Sequence, residues 1–369
     1  MNRVTRIAIQ NLACFGDLNL TPGGSTLLLG ANGTGKSTLF DVLFDLRALV
    51  HSGVNPDAAL PTYQVTPGLA RVALDVQAAR EAFHYEIELS LSPHGFRELS
   101  LGPLGADWAL SREVLTCNGE TLTEYANGLF RSAHMDAPEV PRDPIPLVDD
   151  RSSLSSIRFR DDSPVQRFKA WADGIWLLRL EPRQMAASAE EPEESLAVNG
   201  ENFVAWLLGY KPRKGRLAQV VASIGPSIKG LQQLAFVRAG REQVLVATFE
   251  GGAQVDFDAL SDGQRCLIVL HAVIVFARKD CTLMLLDEPD AHVTPTEILP
   301  LFTALQERVE RAGVQVIVAS HHPQVIDLLA ADSPWEMVAS NGQISAEPFR
   351  VDRGSGVSAS RHLLLRGRR

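Results

Sequence analysis

Residues 25–38 read STLLLGANGTGKST, and this stretch decides the fold. The apolar run 25–30 reads as a strand. It ends in Gly30-Ala31-Asn32-Gly33-Thr34-Gly35-Lys36-Ser37, a full match to G-x-x-x-x-G-K-[ST]. Behind it, apolar residues recur at Leu39, Val42, Leu43, Leu46 and Leu49, so the spacing predicts a helix over 36–50. A strand, a glycine loop and a helix in that order form a phosphate cradle. The backbone N–H groups of Asn32, Gly33 and Gly35 can curl around phosphate oxygens, and the helix dipole favours their charge. Lys36 is expected to reach the β- and γ-phosphates, Ser37 to ligate Mg²⁺, and Thr38 to contact the α-phosphate. A chance glycine turn is the bland alternative, and the flanking elements argue against it. The implied cofactors are ATP and Mg²⁺.

Three further motifs lie far downstream. Residues 283–289, LMLLDEP, are an apolar strand ending in two carboxylates. Such a run suits a buried parallel strand whose C-terminal end lies beside the nucleotide. Asp287 is then expected to hold Mg²⁺ through water and Glu288 to polarise the attacking water as general base. Alone, two acids after a strand could merely cap a helix; downstream of a complete phosphate loop the catalytic reading is stronger. Residues 260–265, LSDGQR, open an apolar helix, where Ser261 and Gly263 offer a hydroxyl and open backbone N–H groups. In isolation an ordinary N-cap serine explains this equally well. Residues 320–323, SHHP, follow the strand 314–319, which can aim His321 into the same cleft. The sequence does not separate His321 from His322 in that role.

The rest of the chain sets the architecture. Residues 3–10 read as a strand. The runs 69–78, 83–92 and 95–102 are β-like, with alternation at Tyr85, Ile87, Leu89 and Leu91, and SPHG between the last two predicts a hairpin and an antiparallel sheet. Residues 136–165 and 185–199 read as exposed loops, and 200–235 as mostly helical. From 261 onward helix and strand alternate, with strands at 283–287 and 314–319 and helices at 295–311 and 323–331, which indicates a parallel sheet. No internal repeat and no sustained heptad pattern is present.

Composition narrows the function. Net charge is −9 and 45% of residues are hydrophobic, which gives a sizeable core and excludes a wholly basic nucleic-acid-coating protein. Cys14, Cys117, Cys266 and Cys281 form no C-x-x-C pair, so neither a zinc site nor a redox motif is supported. The run 266–277 is too short to cross a bilayer, and the N-terminus has no signal-peptide core. The expectation is a cytoplasmic protein that does not span a membrane.

Together the four motifs resemble the ABC ATPase superfamily. LSDGQ is similar to that family's LSGGQ signature and departs only at Asp262. The opening IAIQNLACFGDLNL, with the GANGTGKSTLFDVL that follows, looks like the RecF, SMC and OLD branch, as do DEPDAHVTP and SHHPQVI. The resemblance covers about 1–50 and 258–330. It implies an α/β P-loop fold: an ABC-ATPase-like head with a mixed central sheet, an antiparallel β subdomain and a helical lobe. It makes Lys36 and Ser37 the Walker A pair, Asp287 and Glu288 the Walker B pair, Ser261 and Gly263 the signature, and His321 the switch histidine. Asp290 falls in the D-loop. The Q-loop glutamine is not evident; Gln184 is a weak candidate. The expected organisation is one head over 1–369: a phosphate-loop and antiparallel part (1–110), an inserted, mostly helical and loop lobe (111–257), the signature, paired acids and histidine (258–350), and a tail (351–369).

The resemblance also implies ATP bound between two heads in a homodimer or higher oligomer. The chain lacks the long coiled coils of SMC proteins and the acid cluster of the OLD nucleases. Two roles are open: an ATP-gated switch for a separate effector, nuclease or toxin-like, in a defence-type system, or a RecF-like DNA-binding ATPase in repair. The second leans on basic clusters at Lys211, Arg213, Lys214 and Arg216, and at Arg361, Arg366, Arg368 and Arg369, each of which could equally be a solvated surface.

Overall fold

The computed structural model describes residues 2–53, 69–78, 80–91, 108–137, 143–147, 151–210, 215–225, 227–276, 281–330, 334–350 and 357–366. The strand at 95–102 and the cluster Lys211, Arg213 and Lys214 lie outside these residues, as do Arg368 and Arg369.

A 14-stranded mixed sheet organises the chain. At one end, Ile175–Leu178, Leu283–Asp287, Gln315–Ala319, Ser25–Leu29 and Trp335–Ser340 run parallel in that order. Gln343–Pro348 hairpins back on Trp335–Ser340 and lies parallel to Phe15–Leu20, which leads into an antiparallel meander. The meander begins Arg3–Leu12, Ala70–Ala78, Glu81–Leu91, Trp108–Cys117, Glu120–Ala126 and continues to Ile145–Pro146.

Side-chain alternation explains why the parallel strands read as continuous apolar runs. Leu28, Leu285 and Ile317 point to one face, against Leu39, Phe40 and Leu43 of the helix Lys36–Ser52. Leu27, Leu29, Met284, Leu286, Val316 and Val318 point to the other, against the helices Asp262–Phe276 and Pro295–Ala312. Both faces are covered, so no polar stripe remains. The catalytic candidates sit where these strands end.

The segment 111–257 departs from expectation. It contains the helices Phe203–Leu208 and Arg216–Ile224, but strands dominate its ends. Trp108–Cys117, Glu120–Ala126 and Leu129–Ser132 extend the meander, while Leu231–Ala239 and Glu242–Phe249 form the centre of a separate four-stranded sheet. A β-bulge accounts for the misreading. Glu88 pairs with Arg112 but Leu89 with Leu110, so Ser111 is unmatched and the alternation changes phase within the strand. Leu110, Glu113, Leu115 and Cys117 then face inward, a pattern that no fixed period of two reveals. A second bulge, between Leu231 and Gln233, does the same in the smaller sheet.

The bulge also buries a carboxylate. Glu113 is 0% exposed and accepts hydrogen bonds from Tyr85 Oη (2.7 Å), Ser152 Oγ (2.5 Å), Ser153 N (2.6 Å) and Ser153 Oγ (2.5 Å). It clasps the meander to the short helix Ser153–Ser156. Burial, with Glu113 alongside, pushes the Tyr85 hydroxyl well above its ordinary pKa, so it stays a donor. Glu113→Ala strands several buried donors at once and is expected to cost about 3–5 kcal/mol. Thermal unfolding should shift down by about 4–6 °C; an unchanged melt would show that the clasp holds nothing.

Candidate nucleotide site

Gly30 turns the chain out of the strand Ser25–Leu29 at φ 145°, a conformation that other residues avoid. A Cβ there would lie 2.9 Å from the Met337 carbonyl, so the loop packs directly on the neighbouring strand's backbone. Asn32, Gly33 and Ser37 are exposed, Gly35 and Thr38 half-buried, and Lys36 is buried. Lys36 Nζ donates to Gly30 O at 3.0 Å and Ala31 O at 2.9 Å, which folds the lysine back over its own loop. Burial lowers the Lys36 pKa, while Glu288 and Asp287 oppose the shift. These acids lie close enough to be felt across the site.

Leu283–Asp287 ends beside this loop. Asp287 is 5% exposed, whereas the Glu288 side chain is 53% exposed. The backbone turns sharply between them: Glu288 has φ 48° and donates its N–H to Ala319 O at 3.0 Å. The strain of a non-glycine residue in that conformation aims the carboxylate out of the strand plane. His321, at the end of the adjacent strand, places Nε2 3.6 Å from Glu288 Oε1. Burial and the nearby Lys36 push the His321 pKa below its ordinary value, against Glu288, Asp290 and Asp287. His322 has other work: its Nδ1 accepts the Gln324 N–H at 3.3 Å and caps the helix Pro323–Leu329. Asp290 is buried and accepts Ser320 Oγ at 2.9 Å.

The signature residues sit at the start of Asp262–Phe276. Ser261 is exposed, and its hydrogen bonds stay within its own turn: Oγ accepts Gln264 N (3.3 Å), and Gln264 Oε1 accepts Ser261 N (3.1 Å). This is a reciprocal cap of the helix start. Gly263 has a second reason to be glycine, because a Cβ there would meet His292 O at 2.6 Å. The helix start is thus locked onto the loop that follows the paired acids. Asp262, the departure from the family signature, pairs with Arg265 and lies 3.6 Å from Arg183.

One site residue escaped the sequence. Arg179 follows the strand Ile175–Leu178 and donates Nε to Asp287 Oδ2 at 2.7 Å and Nη2 to Asp41 Oδ1 at 2.9 Å. Burial works against its charge, yet the hydrogen bonds to Asp287 and Asp41 raise its pKa above the arginine norm. The available signal was a lone charge at the C-terminal end of the apolar run 175–178. Gln184, five residues on, is instead held within its own loop by Glu181 and Asn199.

The donors suit magnesium. A hydroxyl at Ser37 and a carboxylate at Asp287 are hard oxygen ligands, and Mg²⁺ takes few protein ligands and completes its shell with water and phosphate. Among the described residues no group of three or more His, Cys, Asp or Glu could hold a metal alone. None of the described helices is long and apolar enough to cross a membrane.

Comparison with known proteins bears on the fold. Residues 229–327 match a family described as "AAA domain, putative AbiEii toxin, Type IV TA system". The match includes Ser261, Asp287, Glu288 and His321 but not the phosphate loop. An SMC head solved bound to the C-winged helix domain of ScpA is similar in fold, with TM-score 0.58 and 13% identity over 96% of this chain and 99% of that one. The chain has the fold of an SMC head. A second such head, with an extended coiled coil and bound to the C-terminal domain of ScpA, derived from Pyrococcus furiosus, has TM-score 0.55 and 12% identity, with both chains fully covered. A third, from Pyrococcus yayanosii, has TM-score 0.53 and 12% identity, again with both chains fully covered. No sequence match was found among curated proteins. In this fold, then, the parallel strands deliver the loop 30–37, Asp287, Glu288 and His321 to one end of the sheet.

Proposed function

We propose that this head is an ATP-gated switch that closes with a second copy over two ATP molecules and transmits the closure to a separate effector. Lys36, the loop Asn32–Gly35 and Thr38 hold the phosphates. Ser37 and Asp287 hold Mg²⁺, which neutralises phosphate charge. Glu288 activates the water and His321 contacts the γ-phosphate. The observation that carries the reading is the exposure of Glu288. A general base acts best where water is excluded, yet this carboxylate is about half open in a single chain. Ser261, also exposed and with a helix N-terminus behind it, is the group suited to cover a partner's nucleotide.

The effector half of the proposal is supported by two likenesses of different kinds. The matched family carries a toxin-system description, and the similar SMC heads were solved with ScpA docked on them. The DNA-repair reading gains no comparable support. Of its central cluster only Arg216 is described, and its guanidinium turns inward, donating to Val275 O at 3.1 Å and lying over the Phe276 ring. Light scattering tests the pairing. With Mg²⁺ and ATP, the Glu288→Gln protein should double in mass, or tighten an existing dimer; a mass and affinity unchanged by ATP would overturn the proposal.

A further inference from the structure

We propose that Arg179 is the internal counter-cation of the metal site: it holds Asp287 until Mg²⁺ arrives with nucleotide, and the metal must displace it. This rests on the assignment of Ser37 and Asp287 as the metal's protein ligands.

Three observations carry the inference. Asp287 is almost fully buried, and among the described residues the cation hydrogen-bonded to it is the Arg179 guanidinium. The same guanidinium reaches the phosphate-loop helix, bonding Asp41 Oδ1 at 2.9 Å and approaching Ser37 O at 3.5 Å. It therefore bridges the two elements from which the metal's ligands come. Lys36, the other cation nearby, is committed to Gly30 O and Ala31 O and does not take its place.

Burial makes the bridge consequential. A buried carboxylate stripped of its partner is strongly unfavourable, so Asp287 needs a cation in every state. An arginine hydrogen-bonded to Oδ2 and a divalent ion on the same carboxylate repel each other. Loading the metal then requires Arg179 to let go, and the freed guanidinium, five donors on a planar fork, lies beside the phosphates that arrive with the metal. The segment that would move also carries Arg183, 3.6 Å from the signature's Asp262. Metal loading is thereby linked to the face that meets the second head.

The test uses Mn²⁺ as the probe, followed by electron paramagnetic resonance on the full chain, with and without ATP. Without nucleotide, Arg179→Ala should bind Mn²⁺ at about tenfold lower concentration than wild type, because a charge-assisted competitor is gone. Arg179→Lys, which keeps a charge but cannot bridge both acids, should fall between. Asp41→Asn removes one anchor and leaves Asp287 intact, so it should move in the same direction by a smaller factor, and it serves if Arg179→Ala does not fold. A merely structural arginine would lower the melting temperature of its variants without moving the Mn²⁺ titration. Identical half-saturation in wild type, Arg179→Ala and Asp41→Asn overturns the inference while the site assignment stands. Wild-type protein that binds no Mn²⁺ even with ATP overturns the site assignment, and the inference with it.

Discussion

Glu288→Gln is expected to bind ATP normally and to hydrolyse it at least about a hundredfold more slowly, the usual scale for losing a general base. Glutamine preserves the shape and the turn at this strained position but cannot take a proton from water. The neighbouring Asp287 cannot substitute, since it is buried and is the carboxylate proposed to hold the metal, while Glu288 projects toward His321. Phosphate release and a fluorescent-nucleotide titration measured together check both halves of the expectation. Lys36→Ala provides the contrast, because it should weaken nucleotide binding itself. Wild-type hydrolysis by Glu288→Gln would remove Glu288 from the catalytic role and leave the phosphate loop assignment untouched.

Ser261→Arg should abolish ATP-driven pairing and lower hydrolysis by about a hundredfold, comparable to losing a group that stabilises transition-state charge. ATP binding to the single phosphate loop should survive. The Ser261 hydroxyl is exposed and bonds only within its own turn, so the larger side chain meets solvent in one chain. In a closed pair it would project into the opposite nucleotide. The fold should tolerate the change, which a thermal melt can verify. Normal hydrolysis by this variant, with the melt unchanged, would mean that each head works alone.

The strand, glycine loop and helix at 25–52 and the strand that ends in Asp287 were legible because the glycine pattern and the apolar runs dictate their local structure. The parallel strands were legible for a related reason: covered on both faces, they leave uninterrupted apolar runs. Arg179 was not legible, because its meaning lies in a partner 108 residues away. The search for a family glutamine led to Gln184, while the residue that reaches the Walker B acid precedes it on the same connection. The strands in 111–257 were hidden by bulges that shift the alternation mid-strand, and by a charged residue, Glu113, on the inward face. The sequence left His321 and His322 equivalent; in the structure they differ in position, His322 capping the helix Pro323–Leu329 through Gln324 N and His321 lying 3.6 Å from Glu288, a difference no sequence pattern carries.

The strand that leads into the phosphate loop has its own schedule. Ser25–Leu29 is flanked by Gln315–Ala319 and Trp335–Ser340, both from the far end of the chain. Nearby, Val4 N donates to Gln315 Oε1 across 311 residues of sequence. During synthesis at roughly 5–20 residues per second, that separation corresponds to about 15–60 s. Through that interval the phosphate-loop strand is made but has no sheet to join, and its apolar faces stay open. Contacts this distant in sequence also form slowly in the released chain. The parallel end of the sheet, with Asp287, Glu288 and His321 at its edge, is therefore complete only after the strands at 283–287, 315–319 and 335–340 have been made.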